Sequence, residues 1–394
     1  MKPHTHRVGS TLIVAALAVA SIHSRAAEST PAWSWDGVYK ADLLHGKTTD
    51  GAVGNLGLRA TADAGALFGW DDTTLHAELL WNHGSKPNRH IGTTQGISNL
   101  EVAESAARIY ATWIQHEYKT SGTSVLFGLY DLNSEFYSTD ASGLLIHPSF
   151  GIGIDFSQSG RNGPSIFPNL GLALRAKQQL GGGYYLQGAL IDGVPGDPDH
   201  PGRTTVRLSR DDGALLVAEF GWQDRGDDGP KPGHWGIGSW RYTQRTDRID
   251  GSGSESNQGA YALAQGVLFD AGQTRTTGFV RAGVANRRVN VVDLGFDAGV
   301  LVEHPFGKDG PAALTAGLAV ARYGRAHRNA VLSGEGFALS TQETALEVGA
   351  RWQLSPALAL QPLLQHVWNA GGRRSANETI AGVRLEWTFG QTGP

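Results

Sequence analysis

The chain has 394 residues, a formal net charge of −4 and no cysteine. The absence of cysteine excludes disulfides, thiolate metal sites and a lipidated N-terminus. No run of eighteen apolar residues occurs, which excludes a membrane-spanning helix, and 11 tryptophans among regularly alternating segments argue against disorder.

Residues 1–26 have the pattern of an export signal. Lys2 and Arg7 precede an apolar stretch at 11–20, which is too short to span a membrane as a helix. A small-x-small cleavage site ends the segment. We therefore expect a signal peptide, after which residues 27–394 remain as the mature domain.

Sixteen segments after the signal peptide alternate apolar and polar residues. Successive side chains of a strand point to opposite faces, so alternation indicates one face against an apolar medium and one against water. Segment lengths of about 9–12 residues suit tilted membrane-spanning strands. The predicted strands are 37–45, 54–66, 73–82, 107–118, 124–132, 169–179, 184–192, 214–223, 234–243, 259–269, 275–285, 292–303, 312–323, 342–353, 358–368 and 378–389.

The last segment shows the pattern most clearly. Residues 383–389 place Val, Leu, Trp and Phe on one face and Arg, Glu and Thr on the other. Residues 56–63, 293–300 and 346–352 alternate as cleanly. This pattern predicts an all-β fold, a transmembrane antiparallel β-barrel of about 16 strands with an apolar outside and a water-filled lumen.

The connections between predicted strands are alternately short and long. The longer ones are 83–106, 133–168, 193–213, 244–258 and 324–341. Bacterial outer-membrane barrels have an even strand number, short periplasmic turns and long outer loops. Sixteen strands then put both termini on the periplasmic side. The outer connection between the eleventh and twelfth predicted strands is an exception, because it is short.

Two alternatives to this reading remain. Residues 99–118 carry apolar side chains at helical spacing, so a short helix before the fourth strand is an alternative to strand there. A soluble periplasmic β-sandwich or propeller also alternates, but its strands are usually shorter. A soluble fold also has little use for tryptophans near strand ends, where aromatic girdles lie in membrane barrels. The tryptophans near predicted strand ends are Trp81, Trp222, Trp352, Trp368 and Trp387.

No catalytic or cofactor-binding motif is found, so neither an enzyme nor a cofactor is expected. The acidic stretch at 192–199 could bind calcium, but it lacks the spacing of a calcium loop. The histidines show no spacing typical of zinc sites. Nothing in the chain indicates a nucleic-acid partner.

The connection at 133–168 is the longest. Loops of that length in a compact protein are usually functional, and folded inward it would narrow the lumen. Strand parity and this loop supply the candidate pore-lining residues. They are Arg59, Asp63, Glu78, Arg108, Glu135, Asp155, Arg161, Arg175, Lys177, Glu347, Arg351 and Arg384, with Glu219, Asp297 and Glu386 as further lumen positions.

GLYDLNSEF at 128–136 and several other segments resemble the OprB-type carbohydrate-selective porins of Gram-negative outer membranes. The resemblance implies a sixteen-stranded porin that passes glucose and related sugars by passive diffusion, with 133–168 as its constriction segment. In that family the chain often ends on the aromatic residue, whereas Phe389 is followed by five more residues. The other matching stretches are 96–101, 110–115, 149–153, 164–169, 216–221 and 360–372.

We therefore expect a passive sugar porin, with small sugars as permeants and outer-membrane lipid around the barrel. Mixed charges in the lumen favour neutral solutes, because a one-signed lining would select ions. The alternatives are a general or anion-leaning porin, a barrel-based enzyme, and a structural barrel with a plugged lumen. An outer face rich in Leu and Val suits a monomer and a homotrimer equally.

Overall fold

The computed structural model describes residues 32–226, 229–304 and 311–391. The predicted signal peptide lies outside these residues. In the described part of the chain, sixteen antiparallel strands form one closed barrel, in which each strand pairs with its neighbours in sequence and β1 pairs with β16. The strands are β1 Trp33–Gly46, β2 Asp50–Asp63, β3 Thr73–Gly84, β4 Ala106–Tyr118, β5 Thr123–Tyr130, β6 Gly171–Gly181, β7 Tyr184–Asp192, β8 Ala214–Gly226, β9 Gly229–Asp247, β10 Ser254–Ala271, β11 Thr274–Ala285, β12 Val292–Glu303, β13 Ala313–Tyr323, β14 Gln342–Ser355, β15 Leu358–Trp368 and β16 Glu378–Gln391.

The predicted strand count and fold class are confirmed. The alternation also assigned the two faces correctly: on β14, Leu346 and Val348 are exposed on the outside, whereas Glu347 between them is fully buried in the lumen. Apolar side chains therefore meet the membrane at every second position, as a spanning strand requires. The tryptophans predicted to lie near strand ends do so.

A β-bulge in the pairing of β3 with β4 changes which β4 residues face the lumen. The register shifts between Ala77 and Leu79. Arg108 precedes this irregularity and Trp113 follows it, and both face the lumen although an odd number of positions, five, separates them. A strict two-residue alternation from Arg108 would place Trp113 outside.

Four α-helices lie in the described connections. They are α1 Ala64–Phe68, α2 Asn88–Ile91, α3 Ile154–Ser157 and α4 Arg325–Glu335. No described helix is long and apolar enough to cross a membrane. The helical alternative for 99–118 is wrong, because β4 occupies most of that segment. The predicted long loop at 244–258 is also wrong, since β9 and β10 extend through most of it and form a protruding hairpin.

The connection between β5 and β6 folds into the barrel. Its aromatic side chains pack against lumen-facing residues of the wall: the Phe156 ring stacks on Trp240 with centroids 4.7 Å apart, and Tyr137 stacks on Tyr261 at 4.0 Å. Phe136, Tyr137 and Phe156 are fully buried there. The predicted inward loop is therefore present, and it occupies the side of the lumen formed by β7 to β14.

Wall glycines let this loop approach closely. A Cβ atom at Gly317 on β13 would lie 2.7 Å from the Phe150 ring, and one at Gly295 on β12 would lie against the carboxylate of Asp155. Glycine is the residue that leaves room for such contacts in a strand. The glycines therefore form the seat of the loop.

We expect Gly317→Val to displace the Phe150 ring and push the loop away from the wall, toward the open side of the lumen. Overpacking of this kind costs about 1–3 kcal/mol of stability. Single-channel conductance should fall, and the thermal unfolding midpoint should fall with it. Gly266→Val is the matched control, because a Cβ atom at Gly266 would meet no atom within 4 Å. Unchanged conductance in the Gly317 variant would contradict the seat.

Candidate functional site

Arg281 on β11 anchors the inward loop by its carbonyl groups. The guanidinium is fully buried and is paired with Asp297 on β12, with Nε 2.9 Å from the carboxylate. Its remaining N–H groups donate to the carbonyls of Gly151 at 2.7 Å, Ser149 at 3.0 Å and Tyr137 at 3.2 Å. One wall side chain therefore satisfies three loop carbonyls that have no sheet partner.

Two wall carboxylates anchor the same loop by its amides. Glu347 accepts hydrogen bonds from the backbone N–H groups of Ile146 at 2.8 Å and His147 at 2.7 Å. Glu219 accepts from the backbone N–H of Tyr137 at 3.1 Å. Charged acceptors make strong hydrogen bonds in a dry site, so these contacts fix the height of the loop in the barrel.

The connection between β3 and β4 is held in the same way. Glu343 accepts from the backbone N–H groups of Thr94 and Gln95, both at 2.9 Å. Asp42 accepts from the Ser98 hydroxyl at 2.6 Å and is itself paired with Arg384 through two hydrogen bonds of 2.6 and 2.8 Å. Two connections therefore narrow the lumen, and both use wall charges as anchors.

A cavity of about 480 Å³ remains between these connections and the wall. Lys40, Glu78 and Tyr110 line it from the wall, and backbone and polar side chains of both connections line the other side. The lining includes Asn55, Gln95, Ser98, Asn99, Asp131, Asn133, Ser149, Gln158 and Phe167. A concave space with a few convergent polar groups is the usual form of a small-molecule site.

The wall on this side carries charges of alternating sign. Arg351 donates to Glu386 at 2.7 Å, and the ammonium of Lys40 lies 3.6 Å from the other oxygen of that carboxylate. Farther along, Arg59 pairs with Asp36 through Nε at 2.9 Å. These side chains keep part of their surface exposed, so they can exchange partners. We call this set the charged strip; it comprises Arg351, Glu386, Lys40, Glu78, Arg59 and Asp36.

Aromatic rings form a column on the same wall. Phe167 and Tyr110 make an edge contact with centroids 6.2 Å apart, and the Tyr110 hydroxyl donates to Asp131 at 2.6 Å. Below them, Trp113 stacks on His76 with centroids 4.8 Å apart and planes 17° apart. We call these four rings the aromatic column. It runs beside the charged strip, so polar and apolar surfaces face the same space.

The fold and the lumen agree with one family. The model of carbohydrate-selective porins, the OprB family, matches residues 47–389. The chain belongs to the OprB family of carbohydrate-selective porins. No curated protein shows a significant match.

Solved structures of porins share the fold. The high-pH structure of Pseudomonas putida OprB is 18% identical, with a TM-score of 0.77 over 91% of this chain and 94% of that one. The outer membrane channel DcaP of Acinetobacter baumannii is 11% identical, with a TM-score of 0.56 over 91% and 96%. This OprB-family chain is therefore a sugar-selective channel of the Gram-negative outer membrane.

Three predicted site residues lie in the charged strip of this OprB-family barrel: Arg59, Glu78 and Arg351. Glu135, Arg175 and Lys177 form a second cluster, in which Glu135 accepts from Arg175 at 2.7 Å and from the Tyr130 hydroxyl at 2.6 Å. Lys177 lies 3.6 Å from the same carboxylate. Strand parity predicts five of these six residues on the lumen side, where the structure has them. The sixth, Glu135, comes from the loop.

Other predicted residues hold the structure and are not in the passage. Glu347 and Arg384 anchor connections, as do the further lumen positions Glu219 and Asp297. Arg108 donates to the Pro201 carbonyl at 2.7 Å and to the Asn169 side chain at 3.0 Å. These side chains form hydrogen bonds with other parts of the protein, so their charges are not available to a permeant.

Two predicted positions need correction. Asp63 lies at the periplasmic mouth, where its carboxylate accepts from the backbone N–H groups of Gly65 and Ala66 and caps α1. Arg161 is exposed on the outer side, and Asp212 of the β7–β8 connection lies 3.8 Å away. Neither lines the cavity, because a loop side chain follows the fold of its loop and not strand parity.

The sequence also missed several residues of the site. Lys40 and Asp36 alternate with apolar residues along β1, so the same parity argument would have found them. Tyr110 has the parity of Arg108 and could have been found in the same way, whereas Trp113 was hidden by the bulge on β4. Among the described residues, no group of three or more His, Asp or Glu side chains is placed to hold a metal ion.

Asp155 is buried between the loop and the wall. Its Oδ1 accepts from the Tyr137 hydroxyl at 3.2 Å, whereas Oδ2 has no partner within the described structure. Burial raises the pKa of Asp155 from 3.8 to about 7. The loop therefore favours the protonated acid, which carries no charge and needs fewer hydrogen-bond donors than the carboxylate.

We predict that Asp155 makes the seat of the loop pH-dependent. Because its pKa is raised in the folded state, its contribution to the free energy of unfolding is full below about pH 4 and is lost as the pH rises to about 7. Asp155→Asn should remove this component from the thermal unfolding midpoint measured between pH 4 and 8. The exposed Asp199→Asn variant should keep the wild-type profile. An unchanged profile in the Asp155 variant would show that the residue does not titrate there.

Proposed function

We propose that the barrel passes glucose-like monosaccharides by passive diffusion through the cavity of about 480 Å³. The observation that carries this proposal is the pairing of the charged strip with the aromatic column along one wall. A sugar presents hydroxyl groups at its rim and C–H groups on its faces. Charged side chains form strong hydrogen bonds with hydroxyls, and aromatic rings suit the faces.

The balance of charge supports a neutral permeant over an anion. The strip contains three cationic and three anionic side chains, so neighbouring fields largely cancel. An ion would find no continuous attraction along this wall, since selectivity for ions requires a lining of one sign. A neutral polyol can use donors and acceptors of both kinds.

The aromatic column supports a stepwise path. Phe167 and Tyr110 lie at the cavity, and the Trp113–His76 pair lies next along β4 toward the periplasmic end. His76 Nδ1 and the Thr61 hydroxyl are 3.1 Å apart, which orients the imidazole ring parallel to the indole. We propose that a sugar ring moves from the first pair of rings to the second.

We propose that transport uses no energy source, cofactor or catalytic step. Each barrel encloses a complete path, so one protomer is sufficient whether the protein is a monomer or a homotrimer. We also propose that residues 1–26 are removed on export. The alternatives are an anion-leaning porin and a plugged barrel, and conductance distinguishes all three.

The first experiment is single-channel conductance of the mature protein in a planar bilayer, with glucose added stepwise. Open channels that glucose closes in a saturable manner are expected. Open channels that glucose does not affect would overturn the sugar path and leave a porin of another selectivity. Absence of channels, with a correctly folded barrel by circular dichroism, would indicate a plugged lumen.

Trp113→Leu should weaken glucose block while ion conductance stays near wild type. Loss of one stacking contact of about 1 kcal/mol corresponds to roughly fivefold weaker binding. The measurement is the half-saturating glucose concentration in the conductance titration. Trp81→Leu on the neighbouring strand is the control, because Trp81 faces outward. Equal sugar block in both variants would exclude Trp113 from the path.

Single charge removals in the strip should shift ion selectivity in opposite directions. Lys40→Met leaves an excess of carboxylates and should favour cations, whereas Glu78→Gln should favour anions. Reversal potentials in a potassium chloride gradient measure both shifts. Strong anion selectivity of the wild-type channel, unaltered by Glu78→Gln, would support the anion-leaning alternative.

A further inference from the structure

The outer face of the barrel has a groove across β7 to β11. Gly188, Ala218, Ser239 and Ala260 are paired in one row on four adjacent strands, so the wall has almost no side-chain relief there. The groove has a volume of about 710 Å³. Larger side chains border it, and among them Val284 is 47% exposed.

The groove ends toward the extracellular side at Arg241. This residue pairs with Leu216 and Gln258 on the neighbouring strands, and all three point outward along the edge of the groove. Arg241 lies six residues beyond Trp235, or about 20 Å along the strand. The outward-facing positions of β9 beyond Arg241 are the polar residues Thr243 and Arg245, so Arg241 lies at the extracellular end of the apolar face of this strand.

Arg241 lacks an anion to balance its charge. Its guanidinium donates to the Ser256 hydroxyl at 3.2 Å, and in the part of the chain that the structure describes it forms no ion pair. Arg245, four residues farther out on the same face, donates to Ser254 and is likewise without a described carboxylate partner. By contrast, the outward-facing Arg322 on β13 is paired with Asp293 at 2.7 Å.

The carboxylate of Glu255, on the β9–β10 hairpin above the groove, already has partners. Glu255 is shared between Arg248 and Arg288, with the latter at 2.6 Å, and so is not directed at the groove. An outward-facing arginine at the edge of the apolar band is costly unless an anion accompanies it. The missing counter-charge is therefore expected from the surrounding medium.

We propose that this surface binds a phosphorylated glycolipid of the outer leaflet. One acyl chain lies in the groove over Ala218, Ser239 and Ala260, and a phosphate of the headgroup binds Arg241 and Arg245. Arginine forms paired hydrogen bonds with phosphate oxygens, and an apolar groove directly below a cationic edge matches the two parts of such a lipid. The charge complementarity favours a lipid over a second copy of the chain as the occupant.

The test uses refolded full-length mature protein in detergent free of lipopolysaccharide. Thermal unfolding is measured with added diphosphoryl lipid A, with the dephosphorylated lipid, and with inorganic phosphate alone. Diphosphoryl lipid A should raise the unfolding midpoint of the wild type, the dephosphorylated lipid should raise it less, and phosphate alone should not change it. A full shift with phosphate alone, or equal shifts with both lipids, would overturn the proposal.

Variants separate the two halves of the site. Arg241→Gln should reduce the shift given by diphosphoryl lipid A to that of the dephosphorylated lipid, and Ala260→Leu should reduce both by filling the groove. Arg322→Gln, which loses a paired arginine on the same outer surface, should respond like the wild type. Equal responses in all variants would overturn the proposal, as would a change of oligomeric state in Ala260→Leu, which would identify a second copy as the occupant. Glucose block should be the same throughout, because the groove is outside the lumen.

Discussion

The structure depends on satisfying the backbone of a loop that has left the sheet. Within the lumen, the connection between β5 and β6 carries N–H and C=O groups with no strand to pair with. Each such group is costly if buried without a partner. Arg281 accommodates three of the carbonyls, and Glu347 and Glu219 accept three of the amides. The constriction exists because charged wall residues replace the missing strand.

This use of wall charges divides the lumen into two sides. On β7 to β13, charged residues are turned toward the loop and are buried, and aromatic packing fills the space between. On β14, β16 and β1 to β3, Glu343, Glu347, Asp42 and Arg384 also hold connections and are buried, whereas Lys40, Arg59 and their partners, farther toward the periplasmic end, remain partly exposed. The asymmetry follows from where the loop is seated, and it leaves one wall free to meet a solute.

The sequence predicts the barrel well because its signal is local. Every second residue of a spanning strand faces lipid, so sixteen alternating segments predict sixteen strands, and β14 shows how directly the faces follow. The site is less predictable. Strand parity places Glu347 and Arg351 equally in the lumen. Only the fold of the loop shows that Glu347 is buried and that Arg351 stays partly exposed. Trp113 escapes parity because of a bulge, and Asp63 and Arg161 follow local turns.

The charged strip explains how a channel can bind a sugar and still release it quickly. In the strip, five of the six charged side chains are already paired with a neighbour, as Lys40 and Arg351 are with Glu386 and Arg59 is with Asp36. A sugar hydroxyl that enters the strip gives up hydrogen bonds to water and forms hydrogen bonds with side chains that already have a partner. The net free energy gained per contact is therefore small. Conduction requires binding that is favourable enough for entry and weak enough for exit. Unpaired charges would hold ions or water more tightly, so internal pairing is itself the feature that keeps the path open to neutral solutes.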